Sequence, residues 1–271
     1  MSRLLDAFAG AKAEDRAVLV GYLPAGYPSV AGAIAALRAM VEGGVDVVEV
    51  GVPYSDPVID GPTIQTAVEA ALETGTTMAD VLDTVEAVAA TGAPTLVMSY
   101  WNVIEQYGVE AFARDLAARG GCGVITPDLT PEEGRDWAVA TDAHGIDRVY
   151  LVALSSTPER IATVTAATTG FVYAASVMGV TGARSQVSDG TSALVARTRA
   201  ATSLPVAVGL GVSNGDQAAV VAAYADGVIV GSAFVRCLLD ADTPQAGAAA
   251  AGALAADLAA GVRRPRSVPT R

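Results

Sequence analysis

Short runs of β-branched and aliphatic residues recur along the chain, separated by longer stretches whose apolar positions repeat at helical spacing. The runs fall at Val18–Tyr22, Val47–Val50, Thr95–Tyr100, Gly123–Thr126, Arg148–Ala153, Phe171–Ala174, Val206–Val208 and Val228–Val230. Apolar runs of this length, bounded by turn residues, read as strands buried on both faces, as in a parallel sheet. Glycine closes the helix-like stretches just before the next run, at Gly43-Gly44, Gly92, Gly120-Gly121, Gly145, Gly170 and Gly227, the usual place for a left-handed helix cap. Eight strands alternating with helices in about 250 residues fit a closed (β/α)8 barrel better than an open doubly wound sheet. Further helices are expected at Ser2 to Lys12, before the first strand, and at Pro244 to Gly261, after the last. Two more, Thr63–Glu73 and Met78–Ala90, lengthen the connection between strands two and three.

One residue breaks the pattern. Glu49 sits inside the apolar run Val45-Asp46-Val47-Val48-Glu49-Val50. Alternation puts Val47 and Glu49 on one face of the second strand and Val48 and Val50 on the other. Glu49 is the last polar residue before the loop, so it is placed inward at the C-terminal mouth, where barrel active sites are built. A carboxylate buried there is costly unless paired or protonated, and its pKa should rise. Such a group can give and take a proton near neutral pH. A second carboxylate, Asp60, follows in the loop GVPYSDPVIDGPTIQ, Gly51 to Gln65.

Composition narrows the chemistry. The 271 residues carry 29 acidic and 17 basic groups, a formal charge of -12, so nothing in the overall field favours nucleic acid or an anionic membrane. A chain 52% hydrophobic and 17% charged can fill one large core, and no composition break divides it, so residues 1–261 are read as one domain. Residues 262–271, with Arg263, Arg264, Arg266, Arg271 and two prolines, are read as a frayed tail, with a basic docking peptide as the alternative. Cys122 and Cys237 make neither a metal-binding spacing nor a disulfide framework, which suits reduced thiols in a cytoplasmic protein. Asp6 interrupts what a signal peptide would need to be apolar, and Asp257 interrupts the Ala-rich C-terminal segment. The single histidine, His144, stands at a helix C-terminus, which removes histidine acid–base catalysis and leaves Ser55, Ser176 and Ser232 without an activating base.

Three glycine-rich turns follow the late strands: Val180-Thr181-Gly182-Ala183, Gly209-Leu210-Gly211 and Gly231-Ser232, the last opening a helix. Glycines let backbone N–H groups close on a phosphate, and a helix start adds unpaired donors with partial positive charge. Successive turns of this kind at a barrel mouth point to a phosphate ester as the bound anion. Tyr100 and Asn102 at the end of strand three, Asp128 after strand four and Tyr173 in strand six face the same cavity. Asn102 and Asp128 fit equally well as loop caps. Tyr173 is placed to hydrogen-bond Glu49 across the mouth.

Glu49 with GVPYSDPVIDGPTIQ, followed by SYWN, PDLTPEE, GVTGARSQV, GLGVS and VIVGSA, resembles the tryptophan synthase alpha subunit family from about Leu19 to about Val235. The resemblance implies a TIM barrel that cleaves indole-3-glycerol phosphate to indole and glyceraldehyde 3-phosphate. It implies a pyridoxal-phosphate-dependent beta subunit as partner in an alpha2beta2 heterotetramer, and no metal or organic cofactor on this chain. By the same resemblance Glu49 shuttles protons at indole C3 and the C3′ hydroxyl, Asp60 stabilises positive charge at the indole nitrogen, and Tyr173 orients Glu49. Gly182, Gly211, Gly231 and Ser232 fall on phosphate-binding positions. Tyr22, Tyr100 and Leu210 wall the indole pocket, with Tyr22 and Leu210 where phenylalanine is familiar. Thr181 belongs to a lid and pairs with Asp128 on closure, while Pro53, Asp56, Pro57 and Asn102 lie on docking surfaces for the beta subunit. A stand-alone lyase and another phosphate-binding barrel isomerase remain as alternatives.

Overall fold

The computed structural model describes residues 2–176, 184–209 and 211–264. It is a parallel barrel ringed by helices. In the first half α1 (Arg3–Ala13) precedes β1 (Val18–Pro24), α2 (Val30–Glu42), β2 (Val47–Gly51), α3 (Pro62–Glu73), α4 (Met78–Ala89) and β3 (Thr95–Met98). Next come α5 (Trp101–Tyr107), α6 (Val109–Ala118), β4 (Gly123–Ile125), α7 (Arg135–His144), β5 (Asp147–Val149), β6 (Leu151–Ala153) and α8 (Pro158–Ala167). The chain ends with β7 (Val172–Ala175), α9 (Arg184–Ala201), β8 (Val206–Gly209), α10 (Gly215–Ala222), β9 (Gly227–Val230), α11 (Ser232–Leu239) and α12 (Pro244–Val262).

The strands pair in the order β5-β4-β3-β2-β1-β9-β8-β7-β6, all in parallel register. The two ends of that ladder, β5 and β6, are separated by Tyr150 alone, so the expected fifth strand is one segment in two halves. Thr126 N–H donates to the Val149 carbonyl at 3.4 Å on one side, and Tyr173 N–H donates to the Tyr150 carbonyl at 3.1 Å on the other. The sheet therefore closes through this segment into the (β/α)8 barrel. Nearly all strand residues are buried, Val and Ile foremost, which is why the strands read as unbroken apolar runs.

Local signals set most boundaries. Gly44, Gly92, Gly120 and Gly145 have positive φ, which permits the reversal from a helix end into the next strand. Gly227 instead opens β9 and is not a cap. Thr77 and Asp80 form a reciprocal capping box that starts α4. Strand β3 stops at Met98, two residues earlier than the pattern suggests, because Tyr100 stands at the N-terminus of α5, which takes in Asn102.

Helix α12 is long and apolar enough to cross a bilayer by length and composition alone. Here Ala251, Ala255, Leu258, Ala259 and Val262 are buried, and the helix packs on α2, α10 and α11. Residues 262–264 are not frayed: the Val262 carbonyl accepts the Ala17 N–H at 3.3 Å, and Arg264 pairs with Asp216 at 2.6 Å. The closest approach is backbone to backbone, since a methyl on Gly261 would land on the Gly215 carbonyl oxygen. Gly261→Ala should push α12 off α10 and destabilise the protein by about 1–3 kcal/mol. Thermal denaturation should show a melting point several degrees lower, with activity per folded molecule unchanged in the cold.

Candidate active site

The barrel mouth is built from strand ends. In parallel register Tyr22 of β1 stands beside Glu49 of β2, and Glu49 beside Leu96 of β3. Neighbours in register project to the same side of a sheet, so Tyr22 and Glu49 enter the barrel together. Glu49 is 5% exposed, and its Oε2 atom has no hydrogen-bond partner among the described residues. Burial, and then the charge of Asp60, push its pKa up to about 8. At neutral pH Glu49 is therefore mainly a carboxylic acid, able to donate a proton.

Asp60 reaches the same cavity from the loop between β2 and α3. Gln65 fixes its backbone, the side-chain amide donating to the Asp60 carbonyl at 2.7 Å. Partial burial raises the Asp60 pKa, and a hydrogen bond from Tyr100 opposes that rise. The two carboxyl groups thus differ in environment. One is fully buried with Oε2 unpartnered, and the other is half-buried beside a phenol.

The cavity has a volume of about 200 Å³ and is lined by Tyr22, Glu49, Asp60, Tyr173, Gly211, Gly231 and Ser232. Gly209, Ile59, Ile64, Met98 and Ile229 complete the wall. Gly209 belongs to the glycine-rich turn already read from the sequence, whereas the other four were not singled out. A signal existed for two of these, because Met98 and Ile229 sit at strand ends level with Gly51 and Gly209. Gly211 has φ +64°, and Gly231 immediately precedes α11, whose first residue is Ser232. The first N–H groups of that helix have no intrahelical acceptor and suit an anion.

Other expectations are corrected. Tyr173 is half-buried in the mouth, and desolvation together with the nearby Glu49 and Asp60 charges raises its pKa, yet no hydrogen bond joins it to Glu49. Its hydroxyl instead lies over Gly209 on the adjacent strand, where a side chain would collide with it. Tyr100 does not wall the cavity; it stands behind the Asp60 loop, its hydroxyl accepting N–H bonds from Val58 and Ile59. Asp128 is a cap: both carboxylate oxygens accept the Trp101 N–H, at 2.9 and 3.1 Å, at the start of α5. Thr181, Gly182 and Leu210 lie outside the described residues. Pro53 is buried, Pro57 is half-buried, and Asp56 and Asn102 are exposed, with the Asn102 amide donating to the Tyr54 hydroxyl at 3.4 Å. His144 ends α7 and meets Glu110 at 2.6 Å, away from the cavity.

A larger cavity, about 550 Å³, opens at the opposite end of the barrel between Phe8, Lys12, Arg16, Arg199 and Asp226. Its arginines are already paired, Arg16 with Asp46 at 2.8 Å and Arg199 with Asp226 at 2.7 Å. It lies at the N-terminal ends of the strands, where barrels build stability, whereas the smaller cavity holds the tuned carboxyl pair. Among the described residues no cluster of His, Cys, Asp and Glu could hold a metal ion.

Comparison with known proteins agrees with this geometry. The family model for the tryptophan synthase alpha chain matches residues 8–263. The alpha chain of Salinispora arenicola is 60% identical over 265 residues, covering 98% of this chain and 99% of that relative. That of Thermobifida fusca is 60% identical over 266 residues, covering 97% and 98%. Among solved structures, tryptophan synthase from Mycobacterium tuberculosis superposes with a TM-score of 0.89 at 55% identity, covering 97% of this chain and 98% of that one. The alpha subunit from Legionella pneumophila does so with 0.87 at 31% identity, covering 97% and 98%. A buried, proton-bearing glutamate beside a loop aspartate, over glycine turns at a barrel mouth, thus accompanies similarity across nearly the whole chain, and the chain belongs to the tryptophan synthase alpha chain family.

Proposed function

We propose that Glu49 and Asp60 divide the proton transfers of the lyase reaction this family performs, the retro-aldol cleavage of indole-3-glycerol phosphate to indole and D-glyceraldehyde 3-phosphate. The observation that carries this reading is the buried, unpartnered Oε2 of Glu49 at the mouth, with Asp60 close enough to raise its pKa.

The protonated Glu49 gives its proton to indole C3, and the ring nitrogen becomes cationic. Asp60, ionised, stabilises that charge. Glu49, now a carboxylate, takes the proton of the C3′ hydroxyl. The C3–C3′ bond breaks, its electron pair restores the aromatic ring, and the hydroxyl carbon becomes the aldehyde. One proton is given and one taken, so Glu49 ends the cycle as it began, which suits a group titrating near neutrality. Gly211, Gly231 and Ser232 hold the phosphate through backbone donors and the start of α11. The family resemblance gives Gly182 to the phosphate site, Thr181 to a lid and Leu210 to the wall of the indole pocket, and all three lie outside the described residues. The protein works in the cytoplasm, consistent with the free thiols Cys122 and Cys237.

A beta subunit completes the reading, in an alpha2beta2 assembly where the partner carries pyridoxal phosphate. The loop bearing Asp60 exposes two apolar side chains, Val58 at 76% and Ile59 at 55%, next to Asp56 and Pro57. An exposed apolar pair on a catalytic loop suits a surface covered by a partner, so docking there would act directly on Asp60. The test is indole release from indole-3-glycerol phosphate by the purified chain, alone and with a tryptophan synthase beta subunit. Release should be measurable alone and should rise several-fold on mixing. No indole under either condition overturns the lyase reading, and equal rates favour a stand-alone lyase.

A further inference from the structure

The hydroxyl of Tyr100 is a junction. Its oxygen lies 3.1 Å from the Val58 nitrogen and 3.1 Å from the Ile59 nitrogen, both backbone N–H groups donating to it. The ring is 1% exposed and packs against Tyr54, with centroids 5.2 Å apart, so the phenol cannot swing away. An oxygen that already accepts two N–H bonds has its own proton left to give. The next residue of the loop after that N–H pair is Asp60. We propose that Tyr100 is a positioning residue: it clamps the Val58–Asp60 turn by two backbone bonds and donates its proton to the Asp60 carboxylate, holding it ionised and aimed at the substrate. This deepens the lyase reading and rests on Asp60 having the role given above.

Several observations support that direction of donation. Burial raises the Asp60 pKa while the bond from Tyr100 lowers it, and the Tyr100 phenol is itself pushed up to about 12 by burial foremost, then by the Asp60 charge. The phenol is therefore a fixed donor at any working pH. The other titratable groups facing this corner are Glu49, Tyr22 and Tyr173. Glu49 and Tyr22 are buried, Tyr173 is half-buried, and all three are raised in pKa, so none competes with Tyr100 as a source of positive field for Asp60. The exposed Val58 and Ile59 sit on the clamped turn, so Tyr100 also couples a covered or uncovered loop surface to the carboxylate.

A double-mutant cycle on the full chain tests this, using Tyr100→Phe, Asp60→Asn and the pair, with indole release as the assay. Tyr100→Phe should lower kcat about 10- to 100-fold with KM changed less than about threefold, and should move the acid limb of the kcat–pH profile to higher pH. In the Asp60→Asn background the same substitution should have little further effect, because its target carboxylate is gone. Multiplicative losses, or an unmoved acid limb, overturn the proposal by making Tyr100 a structural residue only. Circular dichroism and a melting curve establish that each variant is folded, and a Tyr100→Leu variant that matches wild-type kcat would also overturn it. Should Asp60→Asn alone leave kcat intact, the fault lies with the assignment of Asp60, and the lyase mechanism fails first.

Discussion

Glu49→Gln should lower the turnover of indole-3-glycerol phosphate by at least about 10²-fold and, at neutral pH, raise the melting temperature. Both effects have one cause. The amide keeps the shape of the side chain but cannot transfer a proton, so the general acid–base contribution is lost. The carboxyl group, meanwhile, has an ordinary pKa near 4.5 and stands near 8 in the folded protein, raised by burial first and by the Asp60 charge second. Between those values the native chain keeps a proton that the unfolded chain has released. The native state then binds more protons, and stability falls as pH rises through this window. By pH 7 the fall amounts to about 3 kcal/mol for this one group. The amide has no such fall. Wild type and variant should differ least below about pH 4.5, and the gap should open steadily towards pH 8. Melting curves at a series of pH values measure it directly. A gap independent of pH would mean that Glu49 is ionised in the fold, and near-wild-type turnover would remove it from the mechanism. The pH profile of kcat carries the matching sign, declining on the alkaline side as the acid form is depleted above about pH 8.

The same residue explains why so much of the site could be read without coordinates. A carboxylate in a β-branched run is visible because every neighbour is apolar, and the strand period then decides which way it points. Asp60 is visible as a carboxyl group in the loop beyond the strand, separated from Asp56 there only by the family resemblance, while its phenol partner is not visible. Tyr100 lies forty residues away, and its task depends on where two loop N–H groups fall, which no local pattern encodes. The contact expected between Tyr173 and Glu49 failed for a similar reason: facing positions were legible, but the hydroxyl is placed by the register of β7 on β8 and by the missing side chain of Gly209. Asp128 was ambiguous because a short carboxylate after a strand serves a helix start as well as a cavity; it caps α5 here, and its expected partner Thr181 lies outside the described residues. The break at Tyr150 is a matter of ladder hydrogen bonds, which the apolar run passes over. At the basic end, charge density suggested fraying from residue 262, whereas Arg264 has a specific partner in Asp216; residues 265–271 lie outside the described ones.

Gly211→Val should raise KM for indole-3-glycerol phosphate by about 10- to 100-fold while leaving the affinity for indole within about twofold. Gly211 lines the cavity with φ +64°, in the left-handed region where a β-branched residue is strained by about 1–2 kcal/mol. The valine has two ways to relieve that strain, and both damage the same function. The turn can move, withdrawing its N–H groups from the phosphate, or the isopropyl group can fill the space the phosphate needs. Losing one or two charge-assisted bonds of this kind accounts for a loss of that size. Indole carries no phosphate, and on the proposed reading it rests on the apolar part of the cavity lining, which includes Ile59, Ile64 and Met98. Titration with indole and steady-state kinetics on the phosphate ester therefore separate the two subsites. Gly211→Ala, smaller but bound by the same φ, should fall between wild type and Gly211→Val, which distinguishes a graded local effect from collapse of the mouth. Equal losses for both ligands would sink the phosphate assignment. A loss confined to the ester would place its anion on the turn after β8, in the cavity that Glu49 also lines.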